Sequence, residues 1–442
     1  MKVKVKKTLM GGVPVSGDIN YTVSDDDGSE NQLICVFPDM EYQTVKGFGG
    51  AFTEAAASTL TKLSAKNREK VLRSYFSSED GIGYTLGRVH INSCDFCIGN
   101  YACIPDGDTT IEGFNIERDK QYIIPVIKAA MSYNGNISLL ASPWSPPAHM
   151  KTNGNMNRGG KLKGEYSELW AECYVRFIKA YRDEGISIRA VTVQNEPNAV
   201  QPWDSCVYTA EEERDFVKHF LGERMEKLGV RILFWDHNKE RTLSRARVML
   251  NDADAAKYVS GIGVHWYSGD HFEQLDMFNR LYPDKDIIFT EGCRTSYKYG
   301  QSDTSGTGEM YAHDIIGNFN NGCSAFLDWN LLLDEHGGPN HVGNFCYAPI
   351  MADTVNDRVI VHDSYYYIGH FSKYVMPGAK RIGSSRYTDA IETVSFKNPD
   401  GSVVTVLLNR TEQAKPAVIS VSGKLIKTEL EPHSIATYVF EL

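Results

Sequence analysis

Apolar positions recur on two different scales along this chain, and the change of scale divides it. Between residues 45 and 375, short apolar runs rich in β-branched residues are separated by stretches whose apolar positions return at helical spacing. The runs are Val45 to Phe52, Tyr84 to Asn92, Ile137 to Pro143, Ile188 to Asn195, Val230 to Asp236, Ile262 to Trp266, Asp286 to Glu291 and Ser324 to Trp329. Continuous apolar character, rather than alternation, marks strands buried on both faces of a parallel sheet. The stretches between them predict amphipathic helices. Glu168 to Tyr181 carries one apolar face, and Thr209-Ala-Glu-Glu212 is a capping box whose hydroxyl and carboxylate satisfy reciprocal backbone donors. Gly135, Gly185, Gly229, Gly261 and Gly322 stand at strand entries, where a glycine can end a helix in the left-handed conformation and release the chain into the next strand. Eight such units are the number that closes an α/β fold into a (β/α)8 TIM barrel. A doubly wound open sheet would show fewer strands and a phosphate-binding glycine loop. Gly47-Phe-Gly49-Gly50 lacks the rest of that fingerprint and reads as a tight turn.

The two ends of the chain follow a period of two instead. Met1 to Lys7 alternates lysine with apolar residues, as an edge strand does whose lysines discourage further pairing. Ala390 to Phe396 and Ser402 to Leu408 flank the turn Asn398-Pro-Asp-Gly401. Because both ends share this pattern, residues 1–44 and 376–442 are expected to build one β-sandwich side domain. The barrel of residues 45–375 would be inserted between them.

Composition narrows the function. A net charge of −10 at pH 7 argues against nucleic acid or an anionic membrane surface as partner, since phosphate binding needs concentrated Lys and Arg. Nothing approaches the roughly 18 consecutive apolar residues of a membrane span. The basic start lacks the apolar stretch of a signal peptide, and nine irregularly spaced cysteines fit reduced thiols. Both favour a cytoplasmic location. Cys94-Asp-Phe-Cys97, with Cys103 nearby, lacks a second metal-spaced pair, and no phosphate loop or His-Glu-x-x-His helix occurs. Neither a metal nor a cofactor is expected.

Two of the apolar runs end in a carboxylate. Glu196 follows Ala190-Val-Thr-Val-Gln-Asn195, and Glu291 closes Asp286-Ile-Ile-Phe-Thr. Barrel strands deliver their active-site residues at such ends. A single glutamate there is commonly a salt-bridged rim residue. Two of them across one barrel mouth can cleave a glycosidic bond, one as proton donor and the other as nucleophile. His265 reads as a hydrogen-bonding structural residue.

These residues resemble glycoside hydrolase family 30, in its glucosylceramidase-like branch. The resemblance runs through Phe48-Gly-Gly-Ala-Phe-Thr-Glu54, Ser93-Cys-Asp-Phe96, Ala141-Ser-Pro-Trp144, Asn195-Glu-Pro197, Val264-His-Trp-Tyr267, Asp328-Trp-Asn330 and Gly369-His-Phe-Ser-Lys373. It implies a barrel with a β-sandwich made from both termini and a retaining mechanism. Glu196 would be the acid/base and Glu291 the nucleophile. By the same resemblance Arg88 and Tyr267 keep Glu291 ionised, and Asn195 holds the sugar 2-hydroxyl. Asp95, Trp144, Trp329 and Asn344 would bind the other hydroxyls and stack on the ring. That chemistry calls for a raised pKa at Glu196 and an ionised Glu291. Ala148-His149 and Gly343 depart from the lipid-cleaving pattern where the leaving group is expected, which argues against a ceramide aglycone.

The activity these features predict is hydrolysis of terminal β-D-glucosyl residues in a carbohydrate substrate, without metal. β-Xylosidase and β-1,6-glucanase activities use the same pair, because rim loops set such preferences. A non-catalytic sugar-binding barrel would dispense with one carboxylate, and both are present.

Overall fold

A computed structural model describes residues 1–15, 21–297 and 306–442. Eight strands close into a barrel: β1 (Gly47–Ala51), β2 (Leu86–Ile91), β3 (Ser138–Pro143), β4 (Ile188–Thr192), β5 (Arg231–Asn238), β6 (Val259–His265), β7 (Asp286–Glu291) and β8 (Cys323–Asp328). Each pairs in parallel with its neighbours, and β8 returns to β1 through Ala325 to Asp328 against Gly47 to Gly50. All eight correspond to the apolar runs in the sequence. Leu140, Ala190, Leu233, Ile288, Ala325 and Leu327 form an apolar cluster of their own, with Leu86 against it. Drawn from β3, β4, β5, β7 and β8, they fill the interior as packed barrel side chains do. Arg88 lies two residues beyond Leu86 on β2 and so shares its inward face.

The intervening helices follow their predicted signals. Ser167–Asp183 is helical, and Ala210–Phe216 opens on the capping box: Glu212 N donates to Thr209 Oγ1 at 3.1 Å, and Thr209 N to Glu212 Oε2 at 2.8 Å. Gly185, Gly229 and Gly322 take positive φ at strand entries, whereas Gly135 does not. Gly261 lies inside β6, where a Cβ would sit 2.1 Å from Asp286 O of the adjoining strand. Gly47 to Gly50 is likewise not a turn. It belongs to β1, where a Cβ on Gly49 would meet Leu86 O at 2.0 Å. Backbone proximity, not turn geometry, requires glycine there.

The side domain draws on both ends of the chain, as expected. Lys2–Leu9 pairs antiparallel with Ser434–Glu441, and Val13–Pro14 pairs along its outer side. Leu33–Thr44 sits between Lys380–Ser384 and Lys415–Val421 in a ten-stranded array. The turn Asn398 to Gly401 joins Ile391–Lys397 to Val403–Asn409 in register. Ile34, Ile382, Leu407, Ile419 and Phe440 centre a separate core. The helix Asp363–Ser372 ties the two domains. Its His370 is hydrogen-bonded to Thr8 Oγ1 and Thr437 Oγ1, both at 2.8 Å, and burial holds the imidazole down at about 3. A small sheet of Leu333–Asp334, Ile350–Asp353 and Arg358–Val361 follows β8 and was not predicted. Among the described residues, no helix is long and apolar enough to cross a membrane.

Candidate active site

The site begins with a cation in the barrel interior. Arg88 is fully buried, a costly place for a charge unless every donor is paired. Its Nη1 donates to Glu291 Oε2 at 2.6 Å, and Nη2 to Asp236 Oδ2 at 2.8 Å and Asn195 Oδ1 at 2.9 Å. Nε reaches Ser142 Oγ at 3.1 Å, and the guanidinium lies 4.7 Å from the Trp144 ring. Side chains of β2, β3, β5 and β7 and of the segment after β4 thus converge on one group.

Above Arg88 opens a cavity of about 340 Å³, a volume suited to a small ligand. Asp95, Trp144, Asn195, Glu196, Tyr267, Glu291, Trp329 and Asn344 all line it. The expected catalytic pair and sugar-binding residues are therefore gathered here, with Arg88 hydrogen-bonded to Glu291 and Asn195. Tyr267 donates its hydroxyl to Glu291 Oε1 at 3.0 Å. Trp144 and Trp329 stack on each other at 5.1 Å. Asp95 Oδ2 accepts from Asn344 Nδ2 at 3.0 Å and Asn340 Nδ2 at 3.2 Å. Burial pushes the Asp95 carboxyl up to about 7 despite those donors. Ala148, His149 and Gly343, expected at the leaving group, are not among the lining residues. His149 turns instead to Asp106, with Nδ1 2.9 Å from Oδ1.

Glu196 is held by backbone as much as by side chain. Its φ of 48° and those of Trp235 (72°) and Asp236 (50°) fall in the left-handed region, a strain of about 1–3 kcal/mol each that surrounding contacts must offset. Glu196 N donates to Asp236 O at 2.9 Å, locking the two strained segments together. Oε1 of Glu196 lies 3.4 Å from His265 Nδ1 and 3.8 Å from His237 Nε2. One carboxylate oxygen each from Glu196 and Glu291, with a ring nitrogen of His265, lie within 4.8 Å of one another.

His265 and Asp236 complete the network; sequence reasoning assigned His265 only a structural hydrogen-bonding role and Asp236 none. His265 Nε2 meets Asp236 Oδ1 at 3.1 Å, and Thr290 Oγ1 donates to the same oxygen at 2.5 Å. Burial alone would hold Asp236 neutral, but Arg88 and His265 keep its carboxyl far below the usual range. Burial opposes charge on His265 too. The carboxylates of Glu291, Asp236 and Glu196 win, and push the imidazole up to about 9. A strand-end acid was visible in the run Val230 to Asp236, the same signal that exposed Glu196.

The resting proton distribution differs from the one the sequence reading requires. Burial raises Glu196, but the hydrogen bond from His265 and the charges of His237 and His265 outweigh it and lower the carboxyl. Glu291 moves up, because burial and the charge of Glu196 exceed the pull of His265 and Arg88. The physical reason is that the carboxylates around His265 favour its charged form, and a charged imidazole beside Glu196 holds that carboxyl low.

Glu196, His265 and Glu291 could also surround a metal ion, although Arg88 already supplies the positive charge at Glu291. A second set, His90, Cys94 and Cys97, is fully buried. Cys97 Sγ lies 3.8 Å from Cys94 Sγ and 3.7 Å from His90 Nε2, so His90 rather than Cys103 joins the thiol pair. It offers three ligands where a structural zinc site takes four.

Comparison with known proteins agrees with this architecture. Residues 45–375 match the glycosyl hydrolase family 30 TIM-barrel domain, and 378–438 the family 30 beta sandwich domain. The chain is 38% identical over 431 residues to the lysosomal acid glucosylceramidase of Mus musculus, covering 92% of this chain and 83% of that protein. The crystal structure of SrfJ from Salmonella typhimurium superposes with a TM-score of 0.93 at 38% identity, over 99% of this chain and all of that one. An endo-β1,6-glucanase structure gives a TM-score of 0.89 at 30% identity, covering 99% of each chain.

Proposed function

This chain belongs to glycosyl hydrolase family 30, and from that premise we propose that it is a retaining β-glucosidase. Glu291 acts as the nucleophile and Glu196 as the acid/base. One observation carries the reading: the two carboxylates approach within 4.8 Å. Retaining pairs stand ~5–5.5 Å apart, whereas inverting pairs leave ~6.5–9.5 Å for an intervening water.

In the first step Glu291 attacks the anomeric carbon, and the departing oxygen takes a proton from Glu196. In the second, Glu196 removes a proton from water, which attacks the same carbon and frees Glu291. Arg88 and Tyr267 donate to Glu291 and so favour the ionised nucleophile. The proton that Glu196 delivers is drawn from His265 across their 3.4 Å contact. Once Glu291 is esterified its negative charge is gone, which favours the ionised form of Glu196 and leaves that carboxylate free to take the proton from water.

A glucosyl unit is common to the names of both enzymatic relatives, the glucosylceramidase and the endo-β1,6-glucanase. The glucanase also favours a second reading, activity on β-1,6-linked glucan. Both readings are tested by comparing purified enzyme on aryl β-glucoside, aryl β-xyloside and a β-1,6-linked glucose disaccharide. The glucosyl substrates are expected to react faster. A xyloside rate equal to or above the glucoside rate overturns the assignment.

A further inference from the structure

Three buried side chains beside the active site take no part in the chemistry proposed above. His90, Cys94 and Cys97 lie behind the cavity wall and are not among its lining residues. The turn after β2 brings the two thiols together. Asp95 and Phe96 are its central residues, so Cys94 and Cys97 stand at its ends, where Cα atoms lie within about 7 Å. Their sulfurs are 3.8 Å apart. A disulfide takes a Cα separation of roughly 4.4–6.8 Å, which such a turn provides.

Cys97 is the reactive member of the pair. Its sulfur accepts from Cys94 N at 3.4 Å and faces His90 Nε2 at 3.7 Å. His90 Nδ1 lies 2.6 Å from Asn92 O, which places a proton there and leaves Nε2 to take the thiol proton. Burial opposes ionisation of Cys97, yet the hydrogen bond from Cys94 and the His90 imidazole bring the thiol down to about 7. Cys103, Cys173, Cys206 and Cys323 are also buried, and burial pushes each of them up.

The same turn reaches the catalytic cavity. Asp95, between the two thiols, accepts from Asn344 and Asn340, and Phe96 packs edge-on against Trp329 at 5.9 Å. Both cysteines belong to one apolar cluster with Trp144 and Trp329. Bond formation would draw the sulfurs from 3.8 Å to about 2.05 Å, and a close-packed interior passes such a displacement on to Asp95 and Phe96.

We propose that Cys94 and Cys97 form a site of reversible oxidation, closed to a disulfide by hydrogen peroxide, that weakens substrate binding through Asp95. The Cys97 thiolate attacks one peroxide oxygen and the O–O bond breaks. The departing oxygen leaves as water with the proton held on His90. The Cys94 sulfur then displaces the hydroxyl from the Cys97 sulfenic acid, and its thiol proton completes a second water. Two thiols lose two electrons in all, and one peroxide becomes two waters. Ile98, next to Cys97, is 50% exposed, so the pair lies just below the surface, within reach of a molecule as small as peroxide. The activity regulated is the β-glucosidase activity proposed above, and the inference rests on that reading.

The test treats the reduced full chain with hydrogen peroxide, removes the excess with catalase, and measures KM and kcat on 4-nitrophenyl β-glucoside. KM is expected to rise at least threefold, with a smaller change in kcat, and dithiothreitol should restore it. Peptide mass spectrometry should find the Cys94–Cys97 disulfide in the oxidised chain. Cys97→Ser and Cys94→Ser, shown to be folded by thermal melting, should form no such bond and keep their KM under peroxide. Cys97→Ser should match the parent before oxidation. Absence of the disulfide, a disulfide that leaves KM unmoved, or the same rise in Cys97→Ser overturns the switch and leaves the β-glucosidase reading standing. Zinc or copper held one per chain by the reduced parent and lost in Cys97→Ser overturns it too, since the cluster would then be a metal site. A reduced parent that cleaves no aryl glucoside overturns the β-glucosidase reading, and the switch falls with it.

Discussion

Arg88 and Glu291 meet inside the barrel at 2.6 Å, and the same guanidinium reaches Asp236 at 2.8 Å. Two carboxylates thus share one buried cation, and removing it would leave both charges uncompensated. Breaking a buried pair in this way costs about 3–5 kcal/mol. Arg88→Ala is therefore expected to lower the unfolding free energy by about that amount, measured by denaturant titration. A loss under about 1 kcal/mol would mean that the carboxylates are neutral or hydrated in the resting protein.

Glu196 lies where it can protonate a leaving oxygen, so its loss should matter in proportion to the need for that proton. General acid help is worth roughly 10²–10⁴-fold, and activated leaving groups need less of it. Glu196→Ala should spare aryl glucosides with acidic phenols and suppress turnover of alkyl glucosides. Uniform loss across a leaving-group series would contradict the assignment of Glu196 as proton donor.

His265 gives the fold a pH dependence of definite sign. Its imidazole is pushed from an ordinary 6.5 up to about 9 by the carboxylates around it. Between those values the folded chain binds a proton that the unfolded chain does not. The stabilisation is thus complete below about 6.5 and is lost as pH rises through about 9. The thermal midpoint should fall across that interval, and His265→Gln should flatten the decline. An unchanged slope in the variant would place the titration elsewhere.

Arg88 already supplies positive charge to Glu291 through their 2.6 Å ion pair, so no metal is needed there. Prolonged treatment with EDTA should leave the rate on aryl glucoside unaltered. A tenfold loss restored by added divalent ion would require a metal at Glu196, His265 and Glu291, the group whose ligand atoms converge there.

The barrel was legible because parallel strands are buried on both faces, and continuous apolar runs survive in the sequence as their trace. Position within a run was less legible. Gly261 falls inside β6 because its glycine serves a close approach to Asp286 rather than a helix end, and Gly49 belongs to β1 for the same reason. Glu196 and Glu291 could be read individually from their strand ends. Their network could not, since Arg88 and Asp236 stand 148 residues apart and only the closed barrel joins them. The upward shift of His265 was hidden for a further reason. It follows from three carboxylates acting together on a ring that looks structural in isolation.

The most direct test of the account is the configuration of the sugar first released, followed by proton NMR during hydrolysis of an aryl β-glucoside. Carboxylates within 4.8 Å predict the β-anomer as the initial product, with the α-anomer arising only later by mutarotation. Initial appearance of the α-anomer would show direct attack by water and contradict the assignment of Glu291 as nucleophile.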